Sequence, residues 1–504
     1  MGVARCLKYG VSTMRTWSAT ILALAACGGV ESISPDGDVP DADVSDSAPV
    51  TDGAPDAAAT PSIATALDCG TPASAGGLAN GTDLQRVDVD LTVFPEALCN
   101  DGTGAVYYVR PAATAAGRNR WVIQFQGGGL CSTPDSCARR WCSVDTNFGM
   151  TQMTATLAPT VGTVGDGILR HGGALGEPNP VGDWNHVFLR YCSSDSWAGT
   201  AGAVDVDALH PVSGAPVRFR IEFNGSRIVD AVVATLRRAG AAPPAYTLGG
   251  GTVNLPDLDD ATMVLMAGAS AGSSGVTHNI DRLREHLRTH NAACQGGACP
   301  LVFWGLHDSG LKPDLATLDY STTTMCLTSG VCDYPTSIST GTATDLSLRR
   351  SDASCRTWHA ANDVANTFRC DDDDHLALHH VITPMMVRMG QTDDLVSGNL
   401  IDAAFTVPGR GLMTVPLFAE LTRTQMTTLP QSNGTAEEPA LSAAPRYSPP
   451  CSKHETLSND ESVFGVTVTS AGQPLTMFEV LGNALTGAAP TTAIWAMGDA
   501  VDCM

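Results

Sequence analysis

The sequence predicts a doubly wound α/β fold with a mostly parallel sheet. Short apolar runs recur through the chain and alternate with helical segments, and a polar, glycine-rich loop follows each run. Near-continuous hydrophobicity is typical of strands buried on both faces, and strands that alternate with helices form parallel sheets. Ligands of such sheets bind at the carboxyl ends of the strands, so these loops are the candidate site.

Five apolar runs predict the central strands. They are "WVIQF" (121–125), "HVFLRY" (186–191), "TMVLMA" (262–267), "LVFWG" (301–305) and "PMMVRM" (384–389). The loops after them read "QGGGLC", "CSSDSWAG", "GASAGSSG", "LHDSG" and "GQTDD". A helix is predicted after the third run, because apolar residues recur there at helical spacing, namely Val276, Ile280, Leu283 and Leu287.

The beginning of the chain is predicted to lie outside this fold. Residues 1–27 contain a short basic-then-apolar segment that ends in "LAAC", which resembles the box of small residues before the lipidated cysteine of bacterial lipoproteins. We therefore expect a lipoprotein-type signal peptide with lipidation at Cys27; an ordinary cleaved signal peptide, with Cys27 incidental, is the alternative. Residues 28–66 are acidic, contain no Lys or Arg, and predict a disordered linker. Residues 67–504 are the expected folded domain.

Charge and cysteine content restrict the partners and the compartment. The chain has 29 Lys and Arg against 52 Asp and Glu, a net charge of −23, which argues against nucleic acid and anionic membrane surfaces as partners. All but two of the 16 cysteines follow the leader, and an even, dense set in an exported chain predicts disulfides. The spacing of Cys131, Cys137 and Cys142 lacks the paired C-x2-C rhythm of zinc sites.

The loop after the third run places Ser270 between small residues, in the order Gly268-Ala269-Ser270-Ala271-Gly272. A strand before the serine and an amphipathic helix after it are what a nucleophile elbow requires, and the glycines permit the close approach of a strained turn. A lone G-x-S-x-G also occurs in ordinary loops, so a structural serine is the alternative. The context favours a nucleophile.

A serine nucleophile needs a base, because its hydroxyl is a weak nucleophile at its own pKa. In α/β sheets with this elbow the chain order is serine, acid, histidine. Asp393 and Asp394, in the loop after the fifth run, both qualify as the acid, and His454 is the only histidine after them. Cys451 is placed to fix the histidine loop by a disulfide.

Backbone N–H groups are predicted to stabilise the oxyanion. Ala271 supplies one N–H directly after the nucleophile, and Gly127, Gly128 and Gly129 let the backbone approach the substrate without a side chain in the way. A phosphate-binding loop is the alternative, but the segment lacks the lysine and the helix start of such loops. This chemistry requires no metal and no organic cofactor.

Three other polar groups have both a functional and a structural interpretation. His278 is expected to be a packed or surface histidine. Asp195 and Asp308 follow strands, where a structural hydrogen-bonding role is favoured over a role at the active-site rim. Four successive aspartates cannot all face one ion, so the run "CDDDDHLALHH" is expected to be a solvated loop rather than a metal site formed by Asp371–Asp374, His375, His379 and His380.

Together, the motifs resemble the pectin acetylesterase/Notum family of secreted serine esterases, in scattered segments over residues 95–470. The similar segments are "QGGGLC", "YCSSDSWAG" (191–199), "NGSRIVDAVVATL" (224–236), "MAGASAGSSGVTHNIDRL" (266–283), "HDSG" (307–310), "ITPMMVRMGQTDD" (382–394) and "CSKHE" (451–455). The resemblance implies an α/β-hydrolase fold and selects Asp393 over Asp394 as the acid. The site residues that it implies are a triad of Ser270, Asp393 and His454 with oxyanion donors from Gly128, Gly129 and Ala271.

The sequence departs from the family pattern in two places. Gly129 and Leu130 stand where the family often has a tryptophan, and Gly272-Ser273 replaces the glycine pair after the nucleophile. Members of the family act on acetyl groups of plant pectin or on a fatty acyl group attached to protein. Because both departures line the acyl-binding side, this substrate preference is not transferred.

The expected function is that of an exported serine carboxylesterase, which cleaves an O-acetyl or other O-acyl ester through an acyl-enzyme on Ser270. The expected substrate is an acylated polysaccharide, a glycan or a lipidated molecule. We expect a monomer that is secreted or held at the outer membrane by its lipid, with the cysteine-rich stretch 311–383 as a cap. Alternatives are a deacylase of long-chain acylated protein or lipid, a serine peptidase, and a non-catalytic surface-binding lipoprotein.

Overall fold

The computed structural model describes residues 67–69, 78–144, 148–174, 177–238, 245–248, 251–295, 298–429, 444–457 and 465–496. The predicted signal peptide, Cys27 and the predicted linker 28–66 lie outside the described residues. Within these ranges, no helix is both long enough and apolar enough to cross a bilayer.

Strands occur along the whole described chain. They are β1 (Asn80–Asp88), β2 (Val106–Arg110), β3 (Arg120–Phe125), β4 (Gly162–Thr163), β5 (Gly173–Ala174), β6 (Glu177–Pro178), β7 (Asn185–Leu189), β8 (Gly202–Leu209), β9 (Pro216–Phe223), β10 (Ala245–Leu248), β11 (Gly251–Asn254), β12 (Met263–Ala269), β13 (Val302–Asp308), β14 (Met385–Arg388), β15 (Thr406–Val407), β16 (Gly411–Leu412), β17 (Arg446–Ser448), β18 (Val468–Ser470), β19 (Gln473–Leu475) and β20 (Thr492–Ile494).

Ten of these strands form one sheet in the order β20-β17-β14-β13-β12-β3-β7-β2-β1-β4. From β20 to β7 every neighbouring pair is parallel, whereas β2, β1 and β4 pair antiparallel at one edge. The remaining strands pair as two-stranded hairpins. This mostly parallel sheet confirms the predicted fold class.

Helices connect the parallel strands and carry caps that the sequence supplies. They are α1 (Pro134–Trp141), α2 (Gly225–Leu236), α3 (Ala271–His290), α4 (Thr324–Ser329), α5 (Tyr334–Thr344), α6 (Ala353–Asn362), α7 (Asp373–His379), α8 (Asp394–Asp402), α9 (Val415–Thr427) and α10 (Met477–Thr486). Thr133 caps α1 and Thr476 caps α10, each in a capping box with the residue three positions on. The helix predicted after the third apolar run is α3, which lies against β3, β12 and β13.

The five apolar runs form β3, β7, β12, β13 and β14, as predicted. All residues of β7 are buried, and β12 is buried from Val264 to Ala269. Such strands have no polar face to present to water, so both of their faces must be covered. Buried apolar residues of α2, α3 and α9 belong to the same hydrophobic core as these strands. The pattern of the sequence is therefore satisfied by burial on both sides.

Disulfides connect the loops, as the cysteine content predicts. The bonded pairs among described residues are Cys69–Cys142, Cys99–Cys192, Cys131–Cys137, Cys294–Cys299, Cys326–Cys332 and Cys355–Cys370. Cys451 is also disulfide-bonded, which confirms the expectation for the histidine loop. Most of these bonds join cysteines near each other in sequence and therefore fix individual loops.

Residues 311–383 enter the fold between β13 and β14 as a largely helical insertion with α4 to α7. The backbone N–H of Leu346 donates to the Ser132 carbonyl at 3.0 Å, and that of Arg350 donates to the Ala198 carbonyl at 2.8 Å. Ser132 and Ala198 belong to the loops after β3 and β7. The insertion therefore lies against the carboxyl edge of the sheet, the edge at which a cap is expected; its role as a cap stays a prediction.

Candidate active site

Ser270 lies at a strained turn between β12 and α3. Its backbone angles, φ 55° and ψ −123°, are unfavourable for a residue with a Cβ atom, and such strain is concentrated at functional sites. A methyl group at Gly268 would lie 2.1 Å from the carbonyl oxygen of Gly272, and one at Gly272 would lie 2.3 Å from the carbonyl oxygen of Phe125. Both positions flanking the serine therefore require glycine, which is the geometry of a nucleophile elbow.

His454 contacts Asp393 at the same edge of the sheet. The imidazole Nδ1 lies 3.0 Å and 2.9 Å from the two carboxylate oxygens of Asp393, whose side chain is completely buried. A carboxylate can only accept, so Nδ1 carries the proton and Nε2 keeps a lone pair. Within the described chain, Nε2 is buried and makes no hydrogen bond. The contact therefore leaves Nε2 as a base.

The carboxylate of Asp393 is held by the helix that follows it. It caps α8 and accepts a hydrogen bond from the backbone N–H of Val396 at 2.9 Å. The positive end of the helix dipole favours a negative charge at this position. Asp394, the other sequence candidate, is exposed in the first turn of α8, and its backbone N–H donates to Ser452. The structure thus brings Asp393, and not Asp394, to His454.

The pKa of His454 is raised above its ordinary value of 6.5. Burial favours the neutral imidazole, but the hydrogen bond and negative charge of Asp393 outweigh it, and the charges of Glu455 and Asp308 act in the same direction. An imidazole with a raised pKa is a stronger base, but it is protonated over a wider range of low pH.

Asp308 connects the serine turn to the histidine loop. Its backbone carbonyl accepts from the N–H of Ser270 at 3.0 Å. Its carboxylate accepts from the N–H groups of Thr456 at 2.9 Å and Leu457 at 3.2 Å. The predicted nucleophile and base therefore lie on loops that are bonded to one residue.

Arg388 completes this connection from the next strand. Its guanidinium lies 3.0 Å from the Asp308 carboxylate, and both side chains are completely buried. It also donates to the backbone carbonyls of Lys453 and His454 at 3.3 Å. Because both charged groups also hydrogen-bond to neighbouring groups, the pair is of the kind that tolerates burial. The structural role expected for Asp308 agrees with these contacts.

The glycine segment, residues 127–129, has a backbone conformation that only glycine adopts easily. Gly128 and Gly129 have φ of 139° and 64°. Two side chains bind the carbonyls of the segment. Arg140 donates to the carbonyl of Gly128 at 2.8 Å, and Gln152 donates to the carbonyl of Gly127 at 3.2 Å. With these carbonyls engaged by side chains, the peptide orientation of the segment is held before substrate arrives.

The backbone N–H groups predicted to stabilise the oxyanion are available to a ligand in this conformation. Among the described contacts, no protein acceptor receives a hydrogen bond from the N–H of Gly128, Gly129 or Ala271. Ala271 begins α3, where the first N–H groups of a helix have no partner within the helix. These groups fit the predicted oxyanion donors, which stay a prediction.

Glu455 is a residue that the sequence reasoning missed. A methyl group at Gly127 would lie 2.1 Å from its Oε1 and 2.6 Å from the carbonyl oxygen of Ala269. The glycine segment, the serine turn and the histidine loop therefore meet at one place. Burial raises the pKa of Glu455 to about 7. Its position directly after the predicted histidine was the only available signal.

The loop after β7 supports the serine helix from the side. Trp197, with φ of 63°, donates from its indole N–H to the carbonyl of Gln126 at 3.0 Å. A methyl group at Gly275 of α3 would lie 2.6 Å from its ring. Asp195 holds this loop, accepting from the N–H groups of Trp197 at 3.0 Å and Gly225 at 2.7 Å. Asp195 thus has the structural role that was favoured for it.

His278 is packed, as expected, and pairs with the carboxylate of Asp373 at 2.8 Å. The expectation of a solvated loop at 370–380 is wrong. Asp373 begins α7, and Asp372 and Asp374 are buried, with Asp374 paired to Lys312 at 2.8 Å. The acidic run is tolerated inside the fold because buried charges are paired, and these partners come from distant parts of the chain.

Comparisons with known proteins agree with this architecture. Residues 79–298 match the family model described as pectinacetylesterase, a segment that includes Ser270 and the glycine segment and ends before Asp393 and His454. Palmitoleoyl-protein carboxylesterase notum1a of Danio rerio is 30% identical over 233 residues, which are 45% of this chain and 37% of that protein. The NOTUM carboxylesterase of Homo sapiens is 32% identical over 215 residues, 42% of this chain and 34% of that protein. The chain therefore spans little more than a third of the length of each of these two relatives.

A solved structure extends the likeness to the fold. The Wnt deacylase Notum from Drosophila superposes with a TM-score of 0.53 at 20% identity, covering 82% of this chain and 98% of that chain. At this identity the likeness concerns the fold alone. These comparisons confirm the resemblance to the pectin acetylesterase/Notum family: residues 79–298 match the pectinacetylesterase model, and the chain has a fold like that of Notum.

Proposed function

We propose that the protein is a serine carboxylesterase that works through an acyl-enzyme on Ser270. The observation that carries the proposal is the contact of His454 Nδ1 with Asp393, which leaves a buried lone pair on Nε2. Asp308 joins the loop of His454 to the strained turn of Ser270. A base, its orienting acid and a serine on one sheet edge are the requirements for activating a hydroxyl.

The first half of the reaction transfers the acyl group to the serine. The proton of the Ser270 hydroxyl passes to His454 Nε2 while the oxygen bonds to the ester carbonyl carbon, and the carbonyl electrons move onto its oxygen. The N–H groups of Gly128, Gly129 and Ala271 stabilise this oxyanion. When it collapses, the bond to the alcohol oxygen breaks, and the alcohol leaves with the proton from Nε2.

The second half releases the acid. Water gives a proton to Nε2 as its oxygen adds to the acyl carbon, and the bond to the Ser270 oxygen then breaks as Nε2 returns the proton. Asp393 holds the imidazole in the correct tautomer throughout and stabilises its charged form. These steps use the side chains and backbone of the chain alone.

The proposed substrate is an O-acyl ester, with an O-acetyl group on a polysaccharide or glycan as the first candidate. A long-chain acyl group on a protein or lipid is the second candidate, and the names of the palmitoleoyl-protein carboxylesterases related to this chain support it. The two candidates differ in the length of the acyl pocket, which an ester series measures directly.

We propose export for the whole chain, with residues 1–27 as the signal, Cys27 as the lipidated residue, 28–66 as the linker and 67–504 as the esterase domain. The disulfides of the described residues support export, because such bonds persist in oxidising compartments. Mass spectrometry of the membrane fraction tests lipidation: wild type should carry a lipid on Cys27, and Cys27→Ser should be released.

The experiment is hydrolysis of p-nitrophenyl esters from acetate to long acyl chains by wild type, Ser270→Ala and the control Ser274→Ala. We expect activity in wild type and in the control, and none in Ser270→Ala. An acetate optimum supports the first substrate and a long-chain optimum the second. Equal inactivity of folded wild type and Ser270→Ala would contradict the esterase and favour a binding protein, and cleavage of amides would favour a peptidase.

A further inference from the structure

Three histidines converge inside the helical insertion. They are His359 on α6, His375 on α7 and His380 just after α7. The Nε2 atom of His375 lies 3.1 Å from Nε2 of His359 and 3.2 Å from Nε2 of His380. His359 and His380 are buried, with 1% and 2% of their surface exposed, and His375 is partly buried. The three rings therefore present the same nitrogen to one point.

Hydrogen bonding alone does not satisfy these atoms. The Nδ1 of His359 faces the backbone carbonyl of Asp363 at 3.3 Å, and a carbonyl can only accept, so His359 carries its proton on Nδ1. Its Nε2 is then a bare lone pair. The Nε2 of His375 has one in-plane position for a proton or a lone pair, yet it faces two other nitrogens. At most one of the two contacts is a good hydrogen bond.

The spacing suits a metal ion. Nitrogens that lie 2.0–2.1 Å from a tetrahedral zinc are about 3.3 Å apart, close to the two contacts between the imidazoles. The ligand atoms of the three histidines lie within 4.8 Å of one another. The hydrogen bond from Nδ1 of His359 to a carbonyl is the outer contact that orients metal-bound histidines.

We propose that His359, His375 and His380 form a binding site for a zinc ion. Imidazole nitrogens are ligands that zinc prefers, and three of them with a fourth position for water is a common zinc arrangement. The sulfur of Cys355 lies within the same cluster, but its disulfide to Cys370 removes the thiolate that a metal would need. The aspartates of the run 371–374 are not among the ligands.

The site connects the helices that carry the insertion against the catalytic sheet. It joins α6 to α7, and α7 begins with Asp373, which pairs with His278 on the serine helix. Bound zinc therefore braces the insertion where it docks on α3. This role adds to the esterase and does not depend on it.

The test is zinc binding to untagged, full-length protein after treatment with a chelator. Zinc content after addition of Zn²⁺ and removal of excess, together with the shift of Tm with Zn²⁺, is measured for wild type, His375→Asn and His359→Asn. The matched control is His379→Asn, which changes a neighbouring histidine outside the cluster of ligand atoms. We expect about one zinc per chain and a raised Tm in wild type and control. His375→Asn and His359→Asn each remove a proposed ligand. Their affinity for zinc should fall by more than the roughly 10- to 100-fold that is lost when only a hydrogen-bond partner of a ligand is removed.

Equal zinc retention by folded His375→Asn and wild type would overturn the proposal, as would an equal loss in His379→Asn. If the ligand variants do not fold, Co²⁺ is added to wild-type protein instead. Visible absorption bands of four-coordinate cobalt that Zn²⁺ displaces would support the site, and their absence would overturn it. Esterase activity is not part of either readout, so the failure of one proposal leaves the other intact.

Discussion

Asp308 and Arg388 are direct partners across β13 and β14, and their side chains form an ion pair of 3.0 Å with no exposure to solvent. Their other side-chain hydrogen bonds go to Ser309 and to the loop of His454. The pair is thus a support beneath the proposed base.

Removing one partner of this pair should strongly destabilise the protein. Arg388→Met leaves a buried carboxylate without its counter-charge, which typically costs about 3–5 kcal/mol in the free energy of unfolding. Urea unfolding of wild type and variant measures the loss. Arg410→Met is the control, because it breaks an exposed pair with Glu420 and should leave stability almost unchanged. Similar effects of the two substitutions would contradict the importance of the buried pair.

Asp393→Asn should lower kcat by about 10⁴-fold, because the imidazole loses the acceptor that fixes its tautomer. Asp393 raises the pKa of His454, and a base is lost as pH falls through its pKa. The acid limb of kcat/KM should therefore lie above pH 6.5 in wild type and move to lower pH in the variant. Asp394→Asn, an exposed neighbour, is the control and should keep the wild-type profile. An unmoved limb in Asp393→Asn would contradict the assignment.

Glu455→Gln should also move the acid limb to lower pH, but by less. The charge of Glu455 raises the pKa of His454, and its contribution follows those of Asp393 in size. The measurement is the pH profile of kcat/KM beside that of Asp393→Asn. A larger shift for Glu455→Gln than for Asp393→Asn would show that the orienting acid is misassigned.

Gly268→Ala should reduce both activity and stability. The added methyl group would lie 2.1 Å from the Gly272 carbonyl, and crowding of this kind costs about 1–3 kcal/mol and shifts the backbone of the turn. Gly398→Ala is the control: nothing lies within 4 Å of the new methyl group, and the site is inside α8, where alanine stabilises a helix. Thermal unfolding and ester hydrolysis measured on both variants should therefore show lower stability and lower activity for Gly268→Ala, and no loss of either for Gly398→Ala. Full activity of Gly268→Ala would contradict the elbow.

The strands that were predicted correctly have a local signal. The strands β3, β7, β12, β13 and β14 are apolar runs, and burial on both faces follows from their composition. The candidate nucleophile and base, which stay predictions, also have simple signals. Ser270 is marked by its immediate neighbours and by a strand and a helix on either side, and His454 by chain order, since it is the last histidine.

The features that were missed depend on contacts between distant residues. Arg388 meets Asp308 across 80 positions, and His278 meets Asp373 across 95. The acidic run was expected in solvent because its counter-charges are not adjacent in sequence. Likewise, His359 lies 16 positions before His375, on a different helix, and only the packing of α6 on α7 brings them together.

The register of Asp308 opposite Arg388 also affects how freely the insertion can vary. The chain leaves β13 at Asp308 and returns through β14 to Arg388, with the whole helical insertion between them. Because Asp308 and Arg388 pair at the carboxyl ends of these parallel strands, they hold the strands on either side of the insertion together whatever the insertion contains. The insertion can therefore change its length, its disulfides or its ligands while the serine and histidine keep their places. The contacts that join the serine turn to the histidine loop thus lie outside the insertion.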